Sequence, residues 1–400
     1  MLEEEKVAFF LASRLITRGN KGTLFLTIMI IAMVFVNLIF LPSIIAGIVV
    51  LFNQQSIDYS YGNLVIEPRE DQLLITNVKE LQQKINRIPG VVASTPRYSG
   101  AATIISKGKS TTPVLVAINP NDEKQVLKIH TGIVSGDYLN DADTGQILIG
   151  TTLAGNKDQK VDRTPTLGGV EVGKSVDVTF RNGVTRQYRI KGIVASGQFS
   201  VDGSAFITRK ELESVLGTTD TANQILVKTK TTGNEDAMRV TLMQYGIQEK
   251  IWTWQDKSAD FLKSIVGSFE IINVISTIVS LVIAVVVIFI VIFINTVYRR
   301  KQIGILQAIG IDRSIIIKSY IFQALFIFVS GTVAGLALLF VLLQYLTASP
   351  LVFPGGPVGP VLDPLLLVRA IVSLFVVSLI AGFLPSWLTT REDILSAIRG

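Results

Sequence analysis

Four stretches of this chain carry almost no charge, and their spacing constrains everything else. The runs 23–51, 271–297, 319–346 and 365–387 each exceed the ~20 apolar residues that a helix needs to cross ~30 Å of hydrocarbon. Only Arg369 interrupts them, near the start of the fourth. Between the first and second lies more than half of the chain. The fold class expected is an α-helical membrane protein with four transmembrane helices and a large α+β extracytoplasmic domain inserted between helices 1 and 2. The first run is not read as a cleaved leader: it is too long, it follows Glu3-Glu4-Glu5, and no small-residue cleavage pattern ends it.

Lys and Arg in the short loops set the expected orientation. Residues 1–22 hold Lys6, Arg14, Arg18 and Lys21; the loop 298–318 holds Arg299, Arg300, Lys301, Arg313 and Lys318; the tail holds Arg391 and Arg399; the loop 347–364 holds none. Both termini and the 298–318 loop are therefore expected in the cytoplasm of a multi-pass cell-membrane protein. The domain plan follows. Residues 1–22 form a cytoplasmic amphipathic helix with Val7, Phe10, Leu11 and Leu15 on one face. Then come 23–56 (first span and stalk), 57–255 (outer domain), 256–297 (stalk and second span) and 298–318 (cytoplasmic loop). The remainder is 319–346 (third span), 347–364 (outer loop), 365–387 (fourth span) and 388–400 (cytoplasmic tail). The first two helices are longer than a bilayer requires, and Pro42 is a potential kink in the first. Gly331-x-x-x-Gly335, beside Ser330, offers a close helix contact in the third span. Arg369 either snorkels to the interface or pairs with Glu270.

The outer block opens and closes with strand–helix–strand patterns, "GNLVIEP", "NVKELQQKINRI", "GVVASTPRY" and then "NQILVKTK", "NEDAMRVTLMQY", "IQEKIWTW". Two such units can share one α/β layer. Between them, about 100–210, short alternating runs and Asn-Gly turns read as a β-rich insertion. The block holds 25 basic and 23 acidic residues, a balance that argues against a nucleic-acid partner.

Enzymatic readings fare poorly. "GGVEVGKS" at 168–175 spells a nucleotide-binding loop, yet "SVDVTF" after it alternates like a strand, whereas a phosphate cradle needs a helix N-terminus there. The chain has no Cys and a single His, His130, so thiolate and poly-His metal sites are excluded. No nucleophile–base constellation surrounds His130 in the sequence. Neither a catalytic residue nor a cofactor of its own is expected.

The most informative stretch is "YRRKQIGILQAIGIDRSII", starting at Tyr298. A basic start followed by Ile303, Ile305, Leu306 and Ile309 beside Gly304 and Gly310 puts more aliphatics in a loop than solvent tolerates, which points to docking on a partner or to lying on lipid. This stretch resembles the MacB/FtsX-type (type VII) permeases of ABC transporters, the family that includes the lipoprotein-releasing LolC and LolE subunits. Their loop reads R-R-x-E-I-G-I-L-R-A-I-G. Arg299, Arg300, Ile303, Gly304, Ile305, Leu306, Ala308, Ile309 and Gly310 match it, while Gln302 replaces Glu and Gln307 replaces Arg. The tail matches the family ending at Pro385, Asp393, Ala397 and Arg399, with Ile394 in place of Pro. The resemblance implies an ATPase-docking site at Arg299, Arg300, Gln302, Ile303, Gly304, Ile305, Leu306, Ile309 and Gly310. It implies ATP and Mg held by a separate ABC ATPase, a second permease subunit in a homo- or heterodimer, and a periplasmic adaptor or lipoprotein as further partners. The function implied is extrusion or release of a lipidic, lipoprotein or amphiphilic substrate at the outer membrane face by mechanotransmission. The alternative is an FtsX-like signalling permease that activates an extracytoplasmic cell-wall hydrolase.

Overall fold

The computed structural model describes residues 2–156, 165–353 and 356–390. Its contacts divide the chain into two units, one of Met1–Val49, Ser264–Leu351 and Pro357–Gly400, the other of Val50–Lys263 and Val352–Gly356.

The first unit is helical. Helix α1 (Leu2–Thr17) is followed by α2 (Lys21–Gln55), α3 (Trp254–Tyr298), α4 (Arg300–Ala308), α5 (Arg313–Ala348) and α6 (Pro364–Thr390). Four of these, α2, α3, α5 and α6, are long and apolar enough to cross a membrane. Asn20 separates α1 from α2 and caps the latter, its side-chain oxygen accepting from the Gly22 and Thr23 N–H groups at 3.0 and 3.3 Å. The shared core is apolar and contributed by every spanning helix: Ile31 and Phe35 of α2, Ile288 and Ile292 of α3, Tyr320 and Ile327 of α5, Leu374 and Ala381 of α6.

The Gly331/Gly335 pair performs the expected close contact. A Cβ at Gly331 would lie 2.6 Å from Ile31 Cγ2, and one at Gly335 2.7 Å from Phe35 Cδ1. α5 therefore meets α2 at its two side-chain-free positions. Pro42 lies inside the unbroken α2. One turn on, the backbone of Gly359 packs against Gly47, and the Val361 N–H donates to the Ser43 carbonyl at 2.9 Å. Arg369 and Glu270 are both exposed, and among the described residues they form no ion pair.

The second unit is built on a twisted sheet. Nine of its strands are β1 (Leu64–Glu67), β2 (Val91–Ala101), β3 (Val114–Ile118), β4 (Gln146–Gly150), β5 (Ser175–Thr179), β6 (Thr185–Val194), β7 (Ala205–Thr208), β8 (Gln224–Thr229) and β9 (Lys250–Thr253). One end runs β9-β1-β8-β2, all antiparallel. With helices Val78–Asn86 and Glu235–Gln244 it makes a split β-α-β pair, the two halves supplied by the first and last thirds of the domain. Alternation sets the two faces: Leu64 and Ile66 of β1 pack with Ile85 and Leu242 from the helices, whereas Val65 faces Val116, Phe206 and Leu226.

The inserted strands extend the same sheet through β3, β7, β4, β6 and β5. They mix parallel pairs (β3–β7, β4–β6) with antiparallel ones, each parallel pair being joined by a long connection that carries further elements. Where the alternation is strict it predicts the sides correctly: Val176 and Val178 of β5 are buried, and Asn182-Gly183 turns the chain into β6, with Gly183 at φ +81°. A salt bridge joins Arg97 of β2 to Glu123 of the Pro120–Val126 helix in the interior. Thr95 Oγ1 also donates to Glu123 at 3.1 Å, and Arg97 donates to the Ser60 carbonyl at 3.3 Å. No local pattern signals that pair, since its members are 26 residues apart.

Candidate functional site

The stretch 298–318 is not an open loop. α3 ends at Tyr298, Arg299 makes the turn, and α4 takes up Arg300–Ala308. α5 already starts at Arg313, so Arg313 and Lys318 belong to the third spanning helix rather than to the connection. Gly310 ends α4 at φ +97°. Its N–H donates to Gln307 O and that of Ile311 to Leu306 O, both at 3.0 Å, the paired bonds of a left-handed glycine stop. A side chain at Gly310 would meet no neighbour within 4 Å, so its conformation alone asks for glycine.

The predicted residues fall on two faces of α4. Ile303 and Gly304 are buried, Ile303 joining the core beside Ile316 and Tyr320. Leu306 is half-buried, and with Gln302 and Arg299 it lines a groove of about 610 Å³ toward α1 and α5. Ile305 and Ile309 point away, 52% and 74% exposed. Arg299 and Arg300 are partly buried at the base.

α1 lies along α5, but not on the face its large side chains mark. Ala8 and Ala12 are the buried positions, while Val7 and Phe10 are exposed and Leu11 and Leu15 half-buried on the groove side. Small residues let the two helix backbones approach, which an aliphatic face would prevent. Phe9 meets Phe322 edge-on at 6.0 Å, and Lys318 lies 3.7 Å from Glu4.

Both long helices are tied into the inserted domain. α2 passes into a π-turn, Ser56–Tyr61, whose Asp58 accepts from Lys128 Nζ at 2.8 Å and Gln54 Nε2 at 2.7 Å, with Lys228 at 3.5 Å. α3 starts with a capping box: the Thr253 N–H donates to Asp256 Oδ2 at 2.9 Å, and the Asp256 N–H to Thr253 Oγ1 at 3.1 Å. Glu235 accepts from Asn63 Nδ2 at 3.0 Å and from the Gly233 N–H at 2.9 Å. Burial alone would raise its pKa, but these hydrogen bonds outweigh burial and lower it.

The nucleotide-loop spelling leads elsewhere. Gly168, Gly169 and Gly173 all take positive φ, and Ser175 opens strand β5, not a helix. His130 sits in a short turn, Ile129–Gly132, edge-on to Tyr138 at 6.1 Å. Among the described residues no group of three or more His, Cys, Asp or Glu is placed to hold a metal. Asp393, Ile394, Ala397 and Arg399 of the tail motif lie outside the described residues.

The sequence profile of the MacB-like periplasmic core domain matches residues 24–244, more than half of the chain, and that of the FtsX-like permease C-terminal domain matches 274–394. The chain belongs to the MacB/FtsX-type ABC transporter permeases. It is thus a multi-pass membrane protein whose partner is an ABC ATPase. Among solved structures, the extracellular domain of the noncanonic ABC-type transporter YknZ from Gram-positive bacteria is similar at 16% identity and TM-score 0.35, over 48% of this chain and 97% of that one. The periplasmic region of MacB from Actinobacillus actinomycetemcomitans is similar at 12% identity and TM-score 0.36, over 50% and 91%. No curated protein matches significantly. In the permease, α4 occupies the connection between the second and third spans, with one face built into the core and the other bare.

Proposed function

We infer that this permease couples ATP hydrolysis by a separate ATPase to extrusion or release of a lipidic, lipoprotein or amphiphilic substrate at the outer membrane face. The means is mechanotransmission. The observation that carries the reading is α3, 45 residues without a break. At 1.5 Å per residue it is ~68 Å long, more than twice the ~30 Å of hydrocarbon. It starts from a capped end in the inserted domain and stops one residue before α4.

In this reading α4 is the ATPase-docking helix on the cytoplasmic side, where both termini also lie. ATP and Mg are held by the ATPase. Two permease subunits act together, and a periplasmic adaptor or lipoprotein engages the inserted domain. The size of that domain, Val50–Lys263, favours handling a substrate over the alternative of signalling to a wall hydrolase.

The test is to insert four glycines after Gly267, within the stalk part of α3. A fluorophore at a cysteine replacing Ser110 reports on the inserted domain of the reconstituted complex. ATP should change the signal in the parent and not in the insertion variant, although the ATPase still co-purifies. A signal that survives the insertion overturns the mechanical reading.

A further inference from the structure

The groove between α1, α4 and α5 joins Arg299, Gln302 and Leu306 of the docking set to two arginines that the set does not include. Its wall carries three arginines, Arg14 on the last turn of α1, Arg18 just past its end, and Arg299 at the turn into α4. Among the described residues none of the three pairs with a carboxylate. Arg14 lies over the Phe10 ring at 5.7 Å, and the acid on α1 that does pair, Glu4, is taken by Lys318. The rest of the lining is largely aliphatic, with Leu11, Ile303 and Leu306.

Guanidinium groups stay charged at every physiological pH and offer a fork of donors suited to phosphate oxygens. Three of them that pair with no carboxylate among the described residues, set beside a hydrocarbon wall, complement a molecule with an anionic head and an apolar body. The volume, about 610 Å³, lies within the ~300–1,000 Å³ of ligand sites. The groove sits where α3 ends and α5 begins, two helices long and apolar enough to span a membrane, and basic pockets between spanning helices take lipid headgroups. Exposed Val7, Phe9 and Phe10 on α1 fit a helix bedded in that boundary.

We propose that this groove binds an anionic glycerophospholipid, its phosphate on Arg14, Arg18 and Arg299 and an acyl chain along Leu11 and Leu306. Bound there, the lipid fixes α1 against the inner face of α4 and leaves Ile305 and Ile309 free. The regulatory meaning of that, a lipid-dependent setting of the docking helix, rests on the ATPase-docking reading above; the binding itself does not.

The test uses the full-length permease, purified in neutral detergent without its ATPase, titrated with fluorescent phosphatidylglycerol or with phosphatidylcholine of the same chains. Phosphatidylglycerol should bind tighter by about tenfold or more. Arg14→Gln with Arg18→Gln should abolish the preference, and Arg14→Lys with Arg18→Lys should keep most of it, which separates charge from misfolding. Excess inorganic phosphate should not displace the lipid. Equal affinity for the two lipids, an unchanged preference in the Gln variant, or displacement by phosphate alone overturns the proposal. So does displacement of phosphatidylglycerol by added ATPase, which would give the groove to the protein partner. Failure of docking in an α4 outer-face variant leaves this titration untouched, so the two readings fail separately.

Discussion

Replacing Ile305 and Ile309 with Asp should separate the permease from its ATPase without harming the permease. Fully burying an isoleucine side chain is worth ~1.5–3 kcal/mol. At 52% and 74% exposure, roughly 1–1.5 and 1–2 kcal/mol remain to be gained at the two positions on docking. Losing both weakens association by about 30- to 300-fold, and burying an unpaired aspartate adds at least a few kcal/mol more. Folding should hardly change, because neither side chain belongs to the core and surface substitutions stay within about 0.5 kcal/mol. Leu306 is the instructive contrast: it lines the groove against α1, so Leu306→Asp should weaken docking and helix packing together. The assay is co-purification and a binding isotherm for the ATPase, with thermal unfolding of the permease in detergent as the control. Full ATPase binding by a well-folded Ile305→Asp, Ile309→Asp variant would refute α4 as the docking helix.

Three further outcomes follow from the packing. Gly331→Leu should destabilise the helical unit by ~1–3 kcal/mol, since its Cβ would stand 2.6 Å from Ile31 Cγ2 where ~3.5–4.0 Å is comfortable; Gly267→Leu, with no neighbour within 4 Å, should show no such fall in thermal stability. Glu123→Ala leaves Arg97 charged and buried, so the inserted domain should lose ~3–5 kcal/mol, read as increased protease sensitivity, with Glu123→Gln milder. Glu235, whose pKa the fold lowers from 4.5, stabilises the protein above that value, and this contribution is lost as pH falls through the lowered pKa; Glu235→Gln should be less stable at neutral pH and show a flatter acid limb in unfolding scans down through pH 4.5.

The membrane architecture was legible because its cause is one-dimensional. A bilayer demands an unbroken apolar run, and such runs are read without knowing any contact. The β5–β6 hairpin was legible for a similar reason, through Val176, Val178 and Asn182-Gly183. What stayed hidden depends on partners distant in the chain. Arg97–Glu123 and Asp58 with Lys128 and Lys228 leave no periodic trace. At α1 the apolar pattern marks the face of Val7, Phe10, Leu11 and Leu15 but not what packs on α5, since Ala8 and Ala12 are buried for lack of size.

The division of α4 between two faces joins these lessons. Its motif compresses two demands into nine residues. Ile303 anchors the helix to the core, while Gly310 stops it by a backbone conformation other residues rarely adopt. Ile305 and Ile309 answer neither demand, and exposed aliphatics on a helix held this firmly gain nothing until something covers them. In the proposed mechanism, a helix fixed on one side, stopped sharply at its end and bare on the other would transmit a push with little loss to bending. The same residues on a frayed loop would absorb it.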